Sequence, residues 1–207
     1  MSNVLVITSS IAGAASVSGG LVERTVAQLR AKDPGLQVST RDLSRSPIPH
    51  LDTDAVAAVR GEPADDAQRT ARTVSDTIVD ELKSADVLVI GAPMYNFGIP
   101  STLKTWFDYV LRAGVTFRYT EAGPEGLLKG KRAIVVLSRG GLYSEGPAQA
   151  YDSQEPHLRT LLGFMGVTNV VFVRAERLAM GPELQRQAIA DAENAITQAV
   201  ASIRNAA

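Results

Sequence analysis

Val87-Leu88-Val89-Ile90-Gly91-Ala92-Pro93-Met94-Tyr95-Asn96-Phe97-Gly98-Ile99-Pro100-Ser101 decides how the rest of the chain reads. Its first four residues are apolar and mostly β-branched. They do not alternate with polar residues, and the run is too short for a helix. That is the pattern of a strand buried on both faces. Gly91 and Pro93 end it. After Ser101 the apolar residues Leu103, Trp106, Phe107, Val110 and Leu111 recur at helical spacing. The stretch therefore reads strand, loop, helix.

The same unit recurs outward in both directions. Val4–Ile7 precedes the helical stripe Leu21, Val22, Val26 and Leu29. Gln37–Arg41 alternates like an outer strand and precedes Val74, Ile78, Val79 and Leu82, with Lys83 at the helix C-terminus. Ala133–Leu137 precedes Leu158, Leu161, Leu162 and Met165. Val170–Val173 precedes a helix opened by Pro182 and carried through Ile189, Ala192, Ile196, Val200 and Ile203. Strands alternating with helices imply right-handed crossovers and a parallel sheet. The fold expected is α/β, a flavodoxin-like doubly wound sheet of five strands in the order 2-1-3-4-5 with helices on both faces. No linker or repeat divides the chain, so residues 1–207 read as one domain. Ser46–Asp66, with Pro47, Pro49, Gly61 and Pro63, reads as a polar surface excursion with a short helix near Asp54–Val59.

Composition removes several classes of function. Of the 207 residues, 45% are apolar and 21% charged, which suits a globular core. A net charge of −1 argues against general binding to nucleic acid or anionic membrane. With no cysteine there is no disulfide, thiolate metal site or cysteine nucleophile. His50 and His157 alone cannot build a histidine-rich metal site, so no metal is expected. No apolar run approaches the ~18 residues of a membrane span. The N-terminus lacks the positive region of a signal peptide. It reads as the first strand of a cytoplasmic protein.

In such a sheet a ligand sits beyond the C-terminal strand ends, where the strand order reverses. Three loops meet there. The first, Thr8–Gly20, is rich in hydroxyls and glycine and opens a helix. It suits an anion such as a phosphate, although no Lys or Arg occurs before Arg24. Neither G-x-G-x-x-G follows this strand nor does a P-loop occur anywhere, which disfavours dinucleotide and nucleoside-triphosphate sites. The second loop, Gly91–Ser101, carries Tyr95 and Phe97. Seven of the chain's aromatic residues fall between Tyr95 and Tyr119, and of these Tyr95, Phe97, Phe117 and Tyr119, outside the helical stripe, suit a pocket for a flat ring. Trp106, Phe107 and Val110 suit a core or a subunit interface. The third loop, Ser138-Arg139-Gly140-Gly141, lets the backbone approach a ligand closely, and its N–H groups can stabilise charge on it.

These loops resemble the FMN-dependent NADH-azoreductases, also described as NADH:quinone reductases. The likeness runs through Ser9-Ser10, Ser16-Val17-Ser18, Arg41-Asp42-Leu43 and Ala92-Pro93-Met94-Tyr95-Asn96-Phe97. It continues through Arg112–Glu121, Gly123–Leu127, Ser138–Gly141 and Leu162-Gly163-Phe164-Met165-Gly166. The resemblance implies that Ser10, Ser16, Val17 and Ser18 cradle the FMN phosphate. It implies that Met94, Tyr95, Asn96, Phe97, Ser138, Arg139, Gly140 and Gly141 hold the isoalloxazine, largely through backbone groups. Phe117, Tyr119 and Phe164 are the candidates for a substrate pocket. A homodimer with flavin sites near the subunit interface is implied as well, and the aromatic helix around Trp106 points the same way. Ser46–Asp66 and Leu142–His157 depart from the family pattern.

The activity so implied is ping-pong transfer of two electrons from NADH or NADPH to quinones and azo compounds. FMN would carry the chemistry, and no protein general acid is needed. Arg139 reads either as support for the reduced flavin's charge or as an ordinary surface arginine. Arg60 reads as a solvated residue or a contact to the nicotinamide cofactor's phosphates, and His50 and His157 as non-catalytic. Asp108 and Glu125 have no spacing that would pair them. The rival class is a flavodoxin-type electron carrier serving proteins, which would be more acidic. Hydrolysis is disfavoured because G-x-S-x-G is absent.

Overall fold

A computed structural model describes residues 3–204. Five parallel strands form the central sheet: β1 (Asn3–Thr8), β2 (Gln37–Asp42), β3 (Val87–Pro93), β6 (Arg132–Ser138) and β7 (Asn169–Ala175), in the order β2-β1-β3-β6-β7. This is the expected 2-1-3-4-5 arrangement. The hairpin β4 (Phe117–Thr120) and β5 (Gly123–Gly126) stands apart from it. The helices are α1 (Val17–Lys32), α2 (Thr53–Arg60), α3 (Asp66–Ser84), α4 (Ser101–Val110), α5 (Glu155–Phe164) and α6 (Pro182–Arg204).

The two-residue period of a strand sorts the core into two layers. Val4, Val6, Val87, Val89, Ile134 and Val136 face one side and pack with Leu21, Val22 and Leu29 of α1 and Ala192, Ile196 and Val200 of α6. Leu5, Ile7, Leu88, Ile90, Val135 and Leu137 face the other and pack with α3, α4 and α5. Each fully buried Val, Leu or Ile contributes roughly 1.5–3 kcal/mol. Both faces being covered is why these strands are continuously apolar, whereas the edge strand β2 is not.

Three findings depart from the sequence reading. Ser46–Asp66 is not simply a surface excursion. The expected short helix is α2, which packs on α3 and buries Ala55, Ala58 and Val59, with Arg72 Nε donating to the Ala58 carbonyl at 2.7 Å, and Ile48 is buried ahead of it. The hairpin went unread because each strand has only four residues and β5 carries a proline. It seats on the end of α5 so closely that a Cβ at Gly126 would lie 2.1 Å from the Gly166 nitrogen. Trp106, Phe107 and Val110 are fully buried within their own chain. The aromatic face of α4 is therefore core, and it gives no argument for a dimer.

Candidate functional site

The loops after β1, β3 and β6 converge at one end of the sheet. In the first, a 3-10 turn (Gly13–Ala15) leads into α1. Ser16 caps that helix, its Oγ accepting from the Gly19 N–H at 2.9 Å and lying 3.2 Å from Ser18 Oγ. Among the described residues no acceptor stands on the N–H groups of Val17 or Ser18. The helix dipole adds to these free donors. Ser10 Oγ accepts from the Ala12 N–H at 3.3 Å. The result is a neutral cradle of hydroxyls and amides.

Two contacts join this loop to the next, the first of them buried. Ser9 Oγ donates to the Gly91 carbonyl at 2.8 Å, and the Tyr95 hydroxyl accepts from the Ile11 N–H at 3.1 Å. Tyr95 itself opens a tight turn, its N–H and carbonyl both bonded to Gly98 at 3.0 and 3.1 Å. The two central residues, Asn96 and Phe97, lie at φ of 47° and 71°. Left-handed backbone costs a non-glycine residue about 1–2 kcal/mol. Strain of this kind concentrates at functional sites.

The third loop has a marked directionality. The carbonyls of Arg139, Gly140 and Gly141 accept from Leu178, Ala179 and Arg177 at 3.1, 3.0 and 2.9 Å, all in the loop after β7. In a planar trans peptide the N–H points opposite to the preceding carbonyl. The Gly140 and Gly141 N–H groups therefore point away from that loop, and no acceptor among the described residues meets them. At Gly140 a Cβ would touch only Ala179, at an ordinary 3.5 Å. Nothing inside the chain demands glycine there, which fits a ligand lying close against the backbone. The loop is clamped to the second one where Met94 N–H donates to the Ser138 carbonyl at 2.8 Å.

Arg139 corrects the sequence reading. It is neither a surface residue nor free to face a ligand. Its side chain is fully buried, with Nε on Gln154 Oε1 at 2.8 Å, Nη2 on Asp152 at 2.9 Å and Nη1 on Glu176 at 3.0 Å. Its backbone N–H donates to Ala175. Glu176 also accepts from Tyr143 and Ser144. Burial opposes its ionisation, but these hydrogen bonds and Arg139 outweigh that and hold its pKa below the ordinary value. Burial likewise opposes ionisation of Glu155, and Arg174 and Arg159 prevail, lowering its pKa. Asp152, Gln154, Glu155 and Glu176 were not anticipated. For the three carboxylates the only signal was charge beyond the third loop, and Gln154 gave none.

A further groove, of about 290 Å³, lies between Val4, Leu29, Leu36, Val87, Val200 and Ile203 at the opposite end of the sheet. The reversal of strand order favours the three-loop end instead. The overall sequence matches a family model described as flavodoxin-like fold over residues 2–200. A Hyphomonas neptunium protein named FMN-dependent NADH:quinone oxidoreductase is 52% identical over 198 residues, 96% of this chain and 95% of that protein. The chain belongs to this family of FMN-dependent NADH:quinone oxidoreductases. A Yersinia pestis relative in the oxidoreductase family, bearing the same name, is 49% identical over 204 residues, 98% of this chain and 100% of its own. Among solved structures, an azoreductase from Bacillus anthracis superposes with a TM-score of 0.89 at 30% identity, covering 97% of this chain and 100% of the other. A second B. anthracis structure, an FMN-dependent NADH-azoreductase in complex with FMN, gives 0.84 at 25% identity, over 95% and 98%.

The remaining expected residues fall in two places. Phe97 meets Tyr143 at 6.1 Å and Tyr151 at 5.8 Å between ring centroids, beside the loops. Tyr143 and Tyr151 come from Leu142–His157, and neither was singled out from the sequence. Phe117, Tyr119 and Phe164 form a separate cluster, with Phe117 4.6 Å from Phe164 and 5.5 Å from Tyr119. Phe164 ends α5, which starts beside the loops where Gln154 Nε2 donates to the Ala92 carbonyl at 2.9 Å. Ten helical residues span about 15 Å, so within one chain this cluster stands well away from the loops. Arg60 is exposed at the end of α2. His50 meets Thr105 Oγ1 at 3.1 Å. Asp108 pairs with Lys104, and Glu125 with Arg118 and Lys129, so the two carboxylates serve separate partners.

Proposed function

We propose that this chain is an FMN-dependent NADH:quinone oxidoreductase that also reduces azo compounds, with residues 1–207 acting as one FMN-binding domain. The observation that carries the reading is the pair of free N–H groups at Gly140 and Gly141, at the same end of the sheet as the unpaired amides at the start of α1. Hydrogen bonds to a charged group contribute about 1.5–3 kcal/mol each, so neutral donors suffice to hold a phosphate. Ser10, Ser16, Val17 and Ser18 hold that phosphate. Met94, Tyr95, Asn96 and Phe97 support the ring together with Ser138, Gly140 and Gly141. Arg139 acts only from behind.

Bound FMN supplies two-electron transfer between a nicotinamide donor and an acceptor. The Gly140 and Gly141 amides favour negative charge at the edge of the ring they face. With FMN in place, NADH, the donor that the relatives are named for, and a flat quinone or azo compound would use the same open face in turn, a ping-pong order. Phe97, Tyr143 and Tyr151 border that face. Phe117, Tyr119 and Phe164 line the substrate pocket from the partner subunit of a homodimer, since their own chain holds them a helix length away. The protein acts in the cytoplasm, where NADH is supplied.

The test is anaerobic. Protein saturated with FMN is mixed with NADH, then with a small quinone, while flavin absorbance is followed. Bleaching by NADH and full recovery on quinone is the expected course. Tight FMN binding without bleaching points to an electron carrier instead, and failure to bind FMN overturns the reading.

A further inference from the structure

A buried guanidinium is costly unless its donors all find acceptors. All three guanidinium nitrogens of Arg139 find one, and the acceptors are the anchors of three separate pieces of the site. Gln154, which takes Nε, donates through Nε2 to the Ala92 carbonyl, immediately before Pro93 and Met94. Glu176, which takes Nη1, receives the Tyr143 and Ser144 N–H groups at 2.8 and 3.0 Å, just beyond Gly141. Asp152, which takes Nη2, accepts from the Gln154 and Glu155 N–H groups at 2.9 and 3.1 Å. The neighbouring Ser153 N–H donates to the Phe97 carbonyl at 3.0 Å. One side chain thus spans the loop after β3, the loop after β6 and the start of α5.

Core stability alone does not call for this ion. An apolar side chain of similar volume often serves as well or better than a buried ion cluster. What arginine adds is a rigid planar fork with fixed directions. Those directions fix the peptide that follows it, whose N–H is the free donor of Gly140.

We propose that Arg139 is a positioning residue for the flavin. It touches no ligand. Its fork holds the Gly140 and Gly141 N–H groups in register with the Met94–Phe97 turn, and so sets how far reduced FMN is favoured over oxidised FMN. The proposal rests on the FMN reading above.

Arg139→Lys keeps the charge and loses the fork, while Gln154→Leu breaks the bridge to Ala92 without changing any charge. For each, FMN affinity is measured by fluorescence titration, the reduction potential of bound FMN against a reference dye, and the stability of the apoprotein by urea unfolding. Arg139→Lys is expected to weaken FMN binding and to cut the preference for reduced FMN about tenfold, a shift of about 30 mV to more negative potential for a two-electron couple. Gln154→Leu is expected to shift both in the same direction by less. Variants that lose stability yet bind FMN with wild-type affinity and potential overturn the proposal and leave Arg139 a structural residue. If Arg139→Lys does not fold, Gln154→Leu decides on the same readouts. Wild-type protein that fails to bind FMN overturns the functional reading and the proposal with it. Wild-type binding beside unmoved variants overturns the positioning role alone.

Discussion

The loops after β1 and β6 both offer unpaired N–H groups, but they are held in opposite ways. The first is shaped by neighbours in sequence, Ser16 bonding Gly19 and Ser10 bonding Ala12, and is tied to the loop after β3 only through the neutral contacts of Ser9 and Ile11. No ionisable residue occurs between Thr8 and Gly20. The second is held by charged and amide side chains that arrive from α5, its N-terminal approach and the end of β7. A cradle made of local turns forms wherever its residues occur. A shelf made of long-range ion pairs exists only once the sheet has brought its parts together.

Removing Glu176 should break this contrast most sharply. Glu176→Ala strands part of the Arg139 guanidinium and the Tyr143 and Ser144 N–H groups. Leaving a buried charge without its partner costs about 3 kcal/mol or more. Urea unfolding of the apoprotein should show that loss, whereas a value near zero would mean the network is not coupled to the fold.

Acid should act on the same loop next. The Glu155 and Glu176 pKa values lie below their ordinary value in the folded chain, despite the opposing effect of burial, because hydrogen bonds and arginines favour the ionised form. A depressed folded pKa contributes stability above the unfolded pKa, about 4.3 for glutamate. That stability is lost as pH falls below this toward the folded values. Unfolding midpoints measured downward from pH 6 should stay level and then drop below about pH 4.3. Glu176→Gln should flatten part of that drop, and an unchanged profile would remove Glu176 from the account.

The turn after β3 stands between the two regimes. Asn tolerates left-handed backbone better than alanine does. Asn96→Ala should therefore destabilise by about 1 kcal/mol, read as a lower melting temperature. A neutral result would show that the turn relaxes.

Ser16→Ala should have an equally small effect on stability, about 1 kcal/mol for a lost helix cap. It should weaken binding of FMN more than that of riboflavin, which lacks the phosphate. Equal losses for both ligands would take Ser16 out of the phosphate cradle.

The division between what was legible and what was not follows the same line. Apolar runs and helical stripes are local patterns, so Val87–Ile90 and its counterparts marked the five strands of the sheet. The glycines and serines of the first and third loops were legible because turns and caps need particular residues at short spacing. Arg139 was misread because its partners lie 13 to 37 positions away, and no short motif joins them. The α4 aromatics were read as core or interface, and only packing against β3 and α3 assigned them to the core. Ser46–Asp66 looked polar because its buried residues are few and scattered, and only α2 docking on α3 gathers them.

By itself the sequence determined the alternation of buried strands and helices, the order of the sheet and the position of three backbone-rich loops. These follow from periodicity and turn chemistry, which act over a few residues. Tertiary structure decided which N–H groups stay free, which side chains stand behind them and which aromatic rings share one end of the molecule. Those are matters of direction and distance between segments far apart in the chain, and they take definite values only when the sheet closes the chain on itself.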